Sequence, residues 1–497
     1  MRILTGRTGC GNVRLVMRLP TCLALALATS VVVAGASAQA PPLSPDTRAF
    51  VTVDTPVVAL VHARVIDGTG AQARPDQVVV LERGLIRAVG DSARVSIPAG
   101  AQVLDLAGRT VLPGFVMVHE HMFYPGVLWA GGYLANEQGF SFPRLYLAGG
   151  ATTVRTGGSL EPYADLEIKA AIDSGRMPGP KMDVTGPYLQ GAGFPLFYQM
   201  HALRGPDDAR RTVEYWAGLG ATSFKAYTNI TRDELAAAIK AAHARGLKVT
   251  GHLCSVTFHE AAALGIDDLE HGLLVASDFV AGKKPDQCPD DAVDASILAL
   301  DTAGAPFKGL IRDLVARHVA VTSTLPVFET FGPHRPPLPD RVLDVMTADA
   351  RTAYLRRRAR IADQGDTTWT VLFKKEMAFE RAFAAGGGLL LAGTDPTGYG
   401  GVVAGFSNQR ELELLVEAGF TPLEAIRIAT LNGAVYLGRD KQVGTIATGK
   451  QADLIVVRGD PSSEIHDIEN VELVFKDGAG YDPEKLIASA RGKVGLN

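Results

Sequence analysis

Between residues 112 and 436, short apolar runs alternate with longer stretches whose apolar residues recur at helical spacing. This alternation predicts parallel β-strands joined by helices. Eight strands are predicted, centred on residues 115–117, 152–154, 182–184, 223–225, 248–250, 268–270, 320–322 and 389–391. Eight strand–helix units close a barrel, so the predicted fold class is α/β with a (β/α)8 TIM barrel. The clearest helix runs from Arg232 to Arg245. Thr231, directly before it, and Glu234, in its first turn, form a capping box at its start.

The two ends of the chain have a different pattern, in which short β-branched runs are separated by turns. Neither end is long enough for a core of its own, so we expect both ends to pair into one small composite β-sandwich. This predicts sandwich parts at 41–111 and 437–497, with the barrel at 112–436. The connections after the sixth and seventh strands, 275–315 and 326–385, are long enough to form lids or subunit contacts. The second contains five arginines between 351 and 360, which predict a solvated helix face or, as the alternative, a clamp on the substrate.

The first forty residues have the pattern of a secretory signal peptide. Four arginines precede or border an apolar run at 22–36, and the small-x-small sequence Ala-Gln-Ala follows at 38–40. We therefore expect residues 1–40 to be removed and the mature protein to be exported, to the periplasm or to the outside of the cell.

Composition excludes several classes of protein. The formal net charge of -4 provides no basic surface for tracking phosphates, so we expect no nucleic-acid partner. No second apolar run approaches the roughly 18 residues that cross a bilayer, so we expect no stable membrane insertion. Beyond residue 40 the cysteines are Cys254 and Cys288. They pair in an oxidising compartment, or Cys254 stays a small buried thiol; the sequence leaves both alternatives open. It also leaves the oligomeric state open, with a homo-oligomer as one alternative.

Polar residues that suit a metal centre lie at the carboxyl ends of the predicted barrel strands, where barrel active sites are built. They are His119, His121, Lys225, His252, His271 and Asp395. His119 and His121 are two residues apart on one strand, so both imidazoles face the same side. Neutral imidazoles and carboxylates are zinc ligands, and packing alone does not require four histidines on one rim. A lysine ammonium has no lone pair and is not a ligand unless carbon dioxide converts it to a carbamate.

These residues occur in motifs that resemble the metal-dependent amidohydrolase superfamily. The motifs are Leu-Pro-Gly-Phe at 112–115, His-Glu-His at 119–121, Glu-His-Gly at 270–272 and Gly-Thr-Asp at 393–395. Lys-Ala-Tyr at 225–227 and Leu-Asn-Gly-Ala at 431–434 resemble the prolidase-like and imidazolonepropionase-related group. The resemblance covers nearly all of residues 57–476, including the composite sandwich.

The resemblance implies a ligand set and residue roles. His119, His121 and Asp395 would hold one zinc ion, and His252 and His271 a second, with carboxylated Lys225 and a hydroxide between them. Asp395 would act as general base and then as general acid. Tyr227 would bind the oxyanion or a substrate carboxylate, or would be a rim tyrosine bonded to a loop. Arg155, after the second strand, would reach an acidic group of the substrate. Glu120 points away from the two histidines and should not be a ligand.

The predicted function is that of an exported, binuclear zinc amidohydrolase that cleaves the amide bond of a small-molecule or peptide substrate, either a dipeptide or an N-acyl amino acid. The alternative is a mononuclear hydrolase of a cyclic amide or lactone, similar to imidazolonepropionase, in which Lys225 is not modified. A third hypothesis is a catalytically silent binding protein on the same scaffold.

Overall fold

The computed structural model describes residues 41–127, 133–193 and 199–495. In this part the strands are β1 (Val51–Val53), β2 (Val57–Val65), β3 (Arg74–Glu82), β4 (Leu85–Asp91), β5 (Gln102–Asp105), β6 (Arg109–Pro113), β7 (Phe115–Glu120), β8 (Phe123–Val127), β9 (Tyr133–Glu137), β10 (Ala151–Thr156), β11 (Lys181–Asp183), β12 (Ser223–Ala226), β13 (Lys248–Gly251), β14 (Asp268–Glu270), β15 (Ala320–Ser323), β16 (Leu390–Ala392), β17 (Leu454–Arg458), β18 (Val471–Lys476) and β19 (Ala479–Tyr481).

The helices of the same part are α1 (Pro45–Arg48), α2 (Ser141–Ala148), α3 (Pro162–Asp173), α4 (Pro206–Leu219), α5 (Arg232–His243), α6 (Phe258–Leu264), α7 (Asp290–Ala299), α8 (Ala305–Ala316), α9 (Leu325–Glu329), α10 (Asp340–Leu343), α11 (Ala348–Gln364), α12 (Thr368–Ala385), α13 (Phe406–Glu417), α14 (Pro422–Arg427), α15 (Gly433–Tyr436) and α16 (Pro483–Ala490). None of the helices in the described ranges has both the length and the apolar character needed to span a bilayer.

Strands from both ends of the chain form one nine-stranded sheet, in the order β1-β19-β18-β17-β6-β2-β3-β4 with β5 beside β2. The join between the ends is the antiparallel pair β17–β6, which aligns Leu454 with Pro113 and Arg458 with Arg109. The ends of the chain therefore meet, as the β-branched patterns suggest, whereas the sandwich arrangement stays a prediction.

The eight predicted barrel strands correspond to β7 and β10 to β16, each predicted centre lying within one residue of its strand. They are parallel and form two arcs, β11-β10-β7 and β12-β13-β14-β15-β16. Within the described ranges no hydrogen-bonded ladder closes the arcs into one sheet. Isolated backbone contacts bring their edges together, among them a bridge between Thr185 and Ser223 and a 3.1 Å hydrogen bond from the Asp395 amide to the His119 carbonyl. The fold is thus of the TIM-barrel type, with both arcs buried in one hydrophobic core.

Two helices, α5 and α11, test predictions made from the sequence. The predicted capping box is present at the start of α5, where Thr231 accepts from the Glu234 amide and Glu234 accepts from the Thr231 amide. The arginine-rich segment is α11, but Arg358 is buried and donates to the carbonyls of Gly332 and Pro333, at 2.6 and 3.0 Å. The prediction of a solvated face is wrong for this arginine, because its guanidinium satisfies carbonyls of the preceding turn.

Cys254 and Cys288 form a disulfide, with their Cα atoms 4.8 Å apart. The bond joins the loop after β13 to the segment before α7. The alternative in which Cys254 is a small buried thiol is therefore wrong.

Candidate active site

Four imidazoles and one carboxylate meet at the carboxyl ends of the barrel strands. His119 lies on β7, His121 directly after it, His252 after β13 and His271 after β14. Asp395 follows β16, and its Oδ1 lies 3.1 Å from His121 Nε2 and 3.6 Å from His119 Nε2. The His271 ring has its centroid 4.6 Å from that of His119 and 4.6 Å from that of His252. Strands that are far apart in sequence thus deliver all five predicted side chains to one place.

Two of these residues are held in an unusual backbone conformation. His271 has φ of 68° and Asp395 has φ of 50°, both in the left-handed region that non-glycine residues seldom adopt. The Asp395 amide still bonds to the His119 carbonyl, so the turn is tied to β7. Such conformations cost free energy and are concentrated at functional sites, where the surrounding structure fixes them.

The arrangement of donor atoms suits a metal ion. Ligand atoms of His119, His271 and Asp395 lie within 4.8 Å of one another. His271 Nδ1 is engaged by the Thr324 hydroxyl at 2.8 Å, and its Nε2 is buried without a hydrogen-bond partner among the described residues. His121 Nδ1 is 3.0 Å from the Gly158 carbonyl, which fixes the tautomer with the lone pair on Nε2. The second ring nitrogens are therefore positioned as a metal would require.

The electrostatics give these groups the protonation states of ligands. Burial lowers the pKa of His252 to about 3 and that of His121 to about 4, and it also lowers the pKa of His271. Burial alone would raise the pKa of Asp395, but the adjacent His119 holds it well below the usual value. Neutral imidazoles beside an ionised carboxylate are the forms that bind a divalent cation.

A model of the amidohydrolase family matches residues 110–479. The chain belongs to the amidohydrolase family. Its similarity extends to the imidazolonepropionase of Streptomyces griseus, which is 27% identical over 410 residues, covering 80% of this chain and 90% of that protein. A Xaa-Pro dipeptidase with bound methionine in its active site has a similar structure, with a TM-score of 0.64 at 20% identity over 86% of this chain and all of the other. Bottromycin amidohydrolase gives a TM-score of 0.65 at 21% identity, covering 92% of this chain and 98% of its own.

Membership in the amidohydrolase family establishes the general activity of the chain. The chain is a hydrolase of carbon–nitrogen bonds, in a metal-dependent family that acts on small-molecule substrates. It is therefore an enzyme, which excludes the hypothesis of a catalytically silent binding protein.

In this amidohydrolase, Lys225 is buried at the end of β12 beside the histidines. Its Nζ lies 2.6 Å from Glu270 Oε2 and 3.2 Å from His119 Nε2. Glu270 also accepts a hydrogen bond from Thr250 Oγ1 at 2.6 Å. Burial raises the pKa of Glu270, but the charge of Lys225, together with that of Arg155, brings it well below the usual value. An ionised glutamate thus lies directly beneath the predicted metal ligands.

Glu270 is a residue of the site that sequence reasoning missed. It is part of the Glu-His-Gly motif at 270–272, in which the pattern assigns a role to His271 alone. The available signal was the alternation of β14, since Asp268 and Glu270 are two residues apart and both fully buried. Two acids on one face of a buried strand require partners, and the partners come from other strands.

Arg155 is one of these partners, and its position corrects a prediction. Its side chain is 1% exposed and donates to Ser223 Oγ at 2.9 Å, to the Val118 carbonyl at 2.8 Å and to Thr250 Oγ1 at 2.9 Å, with Glu270 Oε1 at 3.3 Å. Every nitrogen of the guanidinium is used within the barrel. The structure therefore contradicts the expected contact between Arg155 and an acidic group of the substrate.

Tyr227 lies beside a cavity of about 210 Å³ that opens on the histidines and Asp395. Its ring centroid is 4.9 Å from that of His252 and 5.0 Å from that of Tyr188. Neither tyrosine hydroxyl forms a hydrogen bond with another residue of the described ranges. Burial raises the pKa of Tyr227, so its hydroxyl keeps its proton and is available as a donor.

Glu120 faces away from the cavity, as the alternation of β7 requires. It accepts hydrogen bonds from Thr394 Oγ1 at 2.6 Å and from Asn408 Nδ2 at 2.8 Å. Burial raises the pKa of Glu120 to about 8. Its contact with Thr394 supports the turn that carries Asp395, so it is a structural neighbour of the site and not a ligand.

Proposed function

We propose that the protein is an exported amidohydrolase that holds two zinc ions and cleaves the amide bond of a dipeptide or an N-acyl amino acid. The observation that carries this proposal is the convergence of four imidazoles, Lys225 and Asp395 at one end of the parallel strands. His119, His121 and Asp395 would hold one ion, and His252 and His271 the other, with carboxylated Lys225 as the shared ligand. Bound ions of this kind lower the pKa of a water molecule and polarise a carbonyl oxygen.

Asp395 has the geometry of a proton carrier. Its Oδ1 lies 3.1 Å from His121 Nε2 and 3.6 Å from His119 Nε2, whereas Oδ2 lies 3.7 Å from His271 Nδ1. Oδ2 is therefore the freer atom to accept a proton from the attacking water and to return it to the leaving nitrogen. The low pKa of the carboxyl keeps it ionised and ready to accept at neutral pH.

Tyr227 supplies a donor on the open side of the cavity. Its protonated hydroxyl has no partner among the described residues, so it can donate to the oxygen that gains negative charge during attack on the amide. Removing one such donor costs on the order of 10²-fold in kcat.

A second candidate is a mononuclear hydrolase of a cyclic amide or lactone. The ion pair between Lys225 and Glu270 favours it, because a lysine that already has a carboxylate partner at 2.6 Å does not need a carbamate to be satisfied. The similarity to an imidazolonepropionase points the same way.

Export is part of the proposal, with the mature protein in the periplasm or outside the cell. The disulfide between Cys254 and Cys288 supports it, because such bonds persist in oxidising compartments and are rare in the cytosol. We further propose that the two arcs of parallel strands close into one barrel and that the nine-stranded sheet belongs to a sandwich.

Elemental analysis together with a hydrolysis assay tests the proposal. We expect about two zinc ions per chain, hydrolysis of dipeptides or N-acyl amino acids, and loss of both the second ion and the activity in Lys225→Ala. Asp395→Asn should lower kcat by at least 10²-fold, the lower end of what acid–base catalysis contributes. One ion per chain, with activity on cyclic amides that does not depend on Lys225, would instead establish the mononuclear candidate.

A further inference from the structure

We propose that the cavity beside the histidines is a specificity pocket for one uncharged aromatic group of the substrate, and that Phe331 is its selecting residue. This inference rests on the proposed amide hydrolysis and names the class of substrate. It predicts preference for substrates that carry an uncharged aromatic side chain, and not an acidic side chain, next to the bond that is cleaved.

One wall of the cavity is a cluster of aromatic rings from the connection between β15 and β16. Val327 and Phe328 lie on α9, and Phe331 follows it. The Trp369 ring of α12 stacks on Phe331, with centroids 4.7 Å apart and planes at 30°. Phe328 packs edge-on against His271 at 5.9 Å, so this wall directly adjoins the predicted ligands.

The turn that carries Phe331 is fixed by a buried cation. Arg358 donates to the carbonyls on both sides of Phe331, at 3.0 Å to Thr330 and 2.6 Å to Gly332. The Tyr399 hydroxyl also donates to the Thr330 carbonyl. These hydrogen bonds fix the turn and so orient the ring of Phe331. Because its guanidinium donates to backbone carbonyls, Arg358 is not available to bind the substrate.

Two further rings line the same cavity. Tyr188 and Tyr227 meet edge to face with ring centroids 5.0 Å apart and planes at 71°. An aromatic group of the substrate in this cavity would therefore have several rings to pack against, a contact that aromatic pairs favour. At about 210 Å³ the cavity is smaller than the roughly 300 Å³ at which drug-sized ligand sites begin, so it fits one ring rather than an extended peptide.

The charges argue against an acidic group in this cavity. No arginine is among the residues that line it, and its lysine, Lys225, is paired with Glu270 at 2.6 Å. The segments 128–132 and 194–198, which lie outside the described ranges, contain neither lysine nor arginine. Apart from the metal ions proposed above, which the scissile amide would occupy, an acidic side chain of the substrate would therefore lose its water without gaining a free cation, which is unfavourable.

The test uses the metal-loaded protein and two matched substrates, the dipeptides Ala-Phe and Ala-Glu. We expect kcat/KM for the phenylalanine substrate to be about 100-fold higher, because the second side chain is charged. Phe331→Ala should lower kcat/KM for the phenylalanine substrate by about 10-fold or more, the contribution of a buried aromatic contact. The same substitution at Phe140, an exposed ring outside the cavity, should change neither value.

A charged residue at position 331 distinguishes a change in substrate preference from a damaged fold. Phe331→Arg should raise kcat/KM for the glutamate substrate while lowering it for the phenylalanine substrate, and a damaged fold cannot produce opposite changes. Phe331→Leu, which keeps an apolar group of similar size, serves as the variant that folds if Phe331→Ala does not. Equal rates for both substrates, or faster cleavage of the glutamate substrate by the wild type, would overturn the proposal.

Calorimetric binding of both dipeptides to metal-free protein distinguishes failure of the pocket from failure of the proposed function. If Ala-Phe binds and its binding weakens in Phe331→Ala, but neither dipeptides nor N-acyl amino acids are hydrolysed after metal is added, the pocket is retained and the proposed function is rejected. Hydrolysis without aromatic preference would retain the function and reject the pocket.

Discussion

Removal of the disulfide between Cys254 and Cys288 should destabilise the protein without dismantling the site. The bond spans 34 residues, and closing a loop of this length in the unfolded chain is worth about 4 kcal/mol by the chain-entropy relation. This free energy is lost when the unfolded chain is no longer cross-linked. We therefore expect the double variant Cys254→Ser/Cys288→Ser to unfold with a free energy lower by about 4 kcal/mol.

The site should survive because other contacts hold the same loop. Ser277 Oγ donates to the Cys254 carbonyl at 2.7 Å, and the His252 amide donates to the Ala226 carbonyl at 3.0 Å. Neither bond involves the sulfur atoms. Metal content and kcat of the double variant should therefore match those of the wild type at temperatures where both are folded.

Urea denaturation followed by tryptophan fluorescence, with and without a thiol reductant, is the assay. The chain beyond residue 40 contains no other cysteine, so the reductant has one target in the mature protein. It should lower the stability of the wild type to that of the double variant and leave the double variant unchanged. Two titratable thiols in the unreduced, denatured mature protein, or equal stability of both proteins, would refute the reasoning.

Three further predictions concern the scaffold and the metal. Burial raises the pKa of Glu380 to about 8 from a usual 4.5, so the native state holds a proton that the unfolded chain releases between these values. The free energy of unfolding should thus fall as pH rises through this window. Urea titrations at pH 5 and 8.5 should show a smaller fall for Glu380→Gln than for the wild type. An equal fall in both proteins would contradict this prediction. Thr231→Ala removes the cap of α5 and should cost about 1 kcal/mol, whereas Thr352→Ala, at an exposed position within α11, should cost little in the same titration. Chelation should lower the melting temperature in scanning calorimetry and added zinc should restore it, since a ligand of the native state stabilises it; a melting temperature that ignores both would count against a resident metal.

The barrel strands could be predicted because buried parallel strands leave a local signal. Each is a short apolar run between helical stretches, and all eight centres match strands of the structure. The capping box at Thr231 is equally local, since both of its hydrogen bonds join residues three apart. The predicted ligands could be found for a related reason, as each lies at the carboxyl end of a predicted strand or directly after it.

The surroundings of those ligands could not be predicted, because they depend on contacts between distant segments. The acceptors of Arg155 come from β7, β12, β13 and β14, and no single stretch of sequence contains them. The sequence showed that Arg155 ends a strand, but not that its side chain would turn into the barrel. The pairing of Cys254 with Cys288 could not be predicted for the same reason. It depends on whether the segment before α7 folds back onto the loop after β13.

The metal-binding groups and the proposed pocket wall belong to different parts of the fold, and this separation has a consequence for specificity. The candidate ligands are attached to strands whose positions are fixed by neighbouring strands, so their spacing is set by the barrel. Phe331 and Trp369 belong to one long connection, which Arg358 holds through backbone carbonyls. Substitutions at these two rings should alter substrate choice without changing metal content. Phe328 is the exception, because it also packs on His271, so replacing it should affect both properties together.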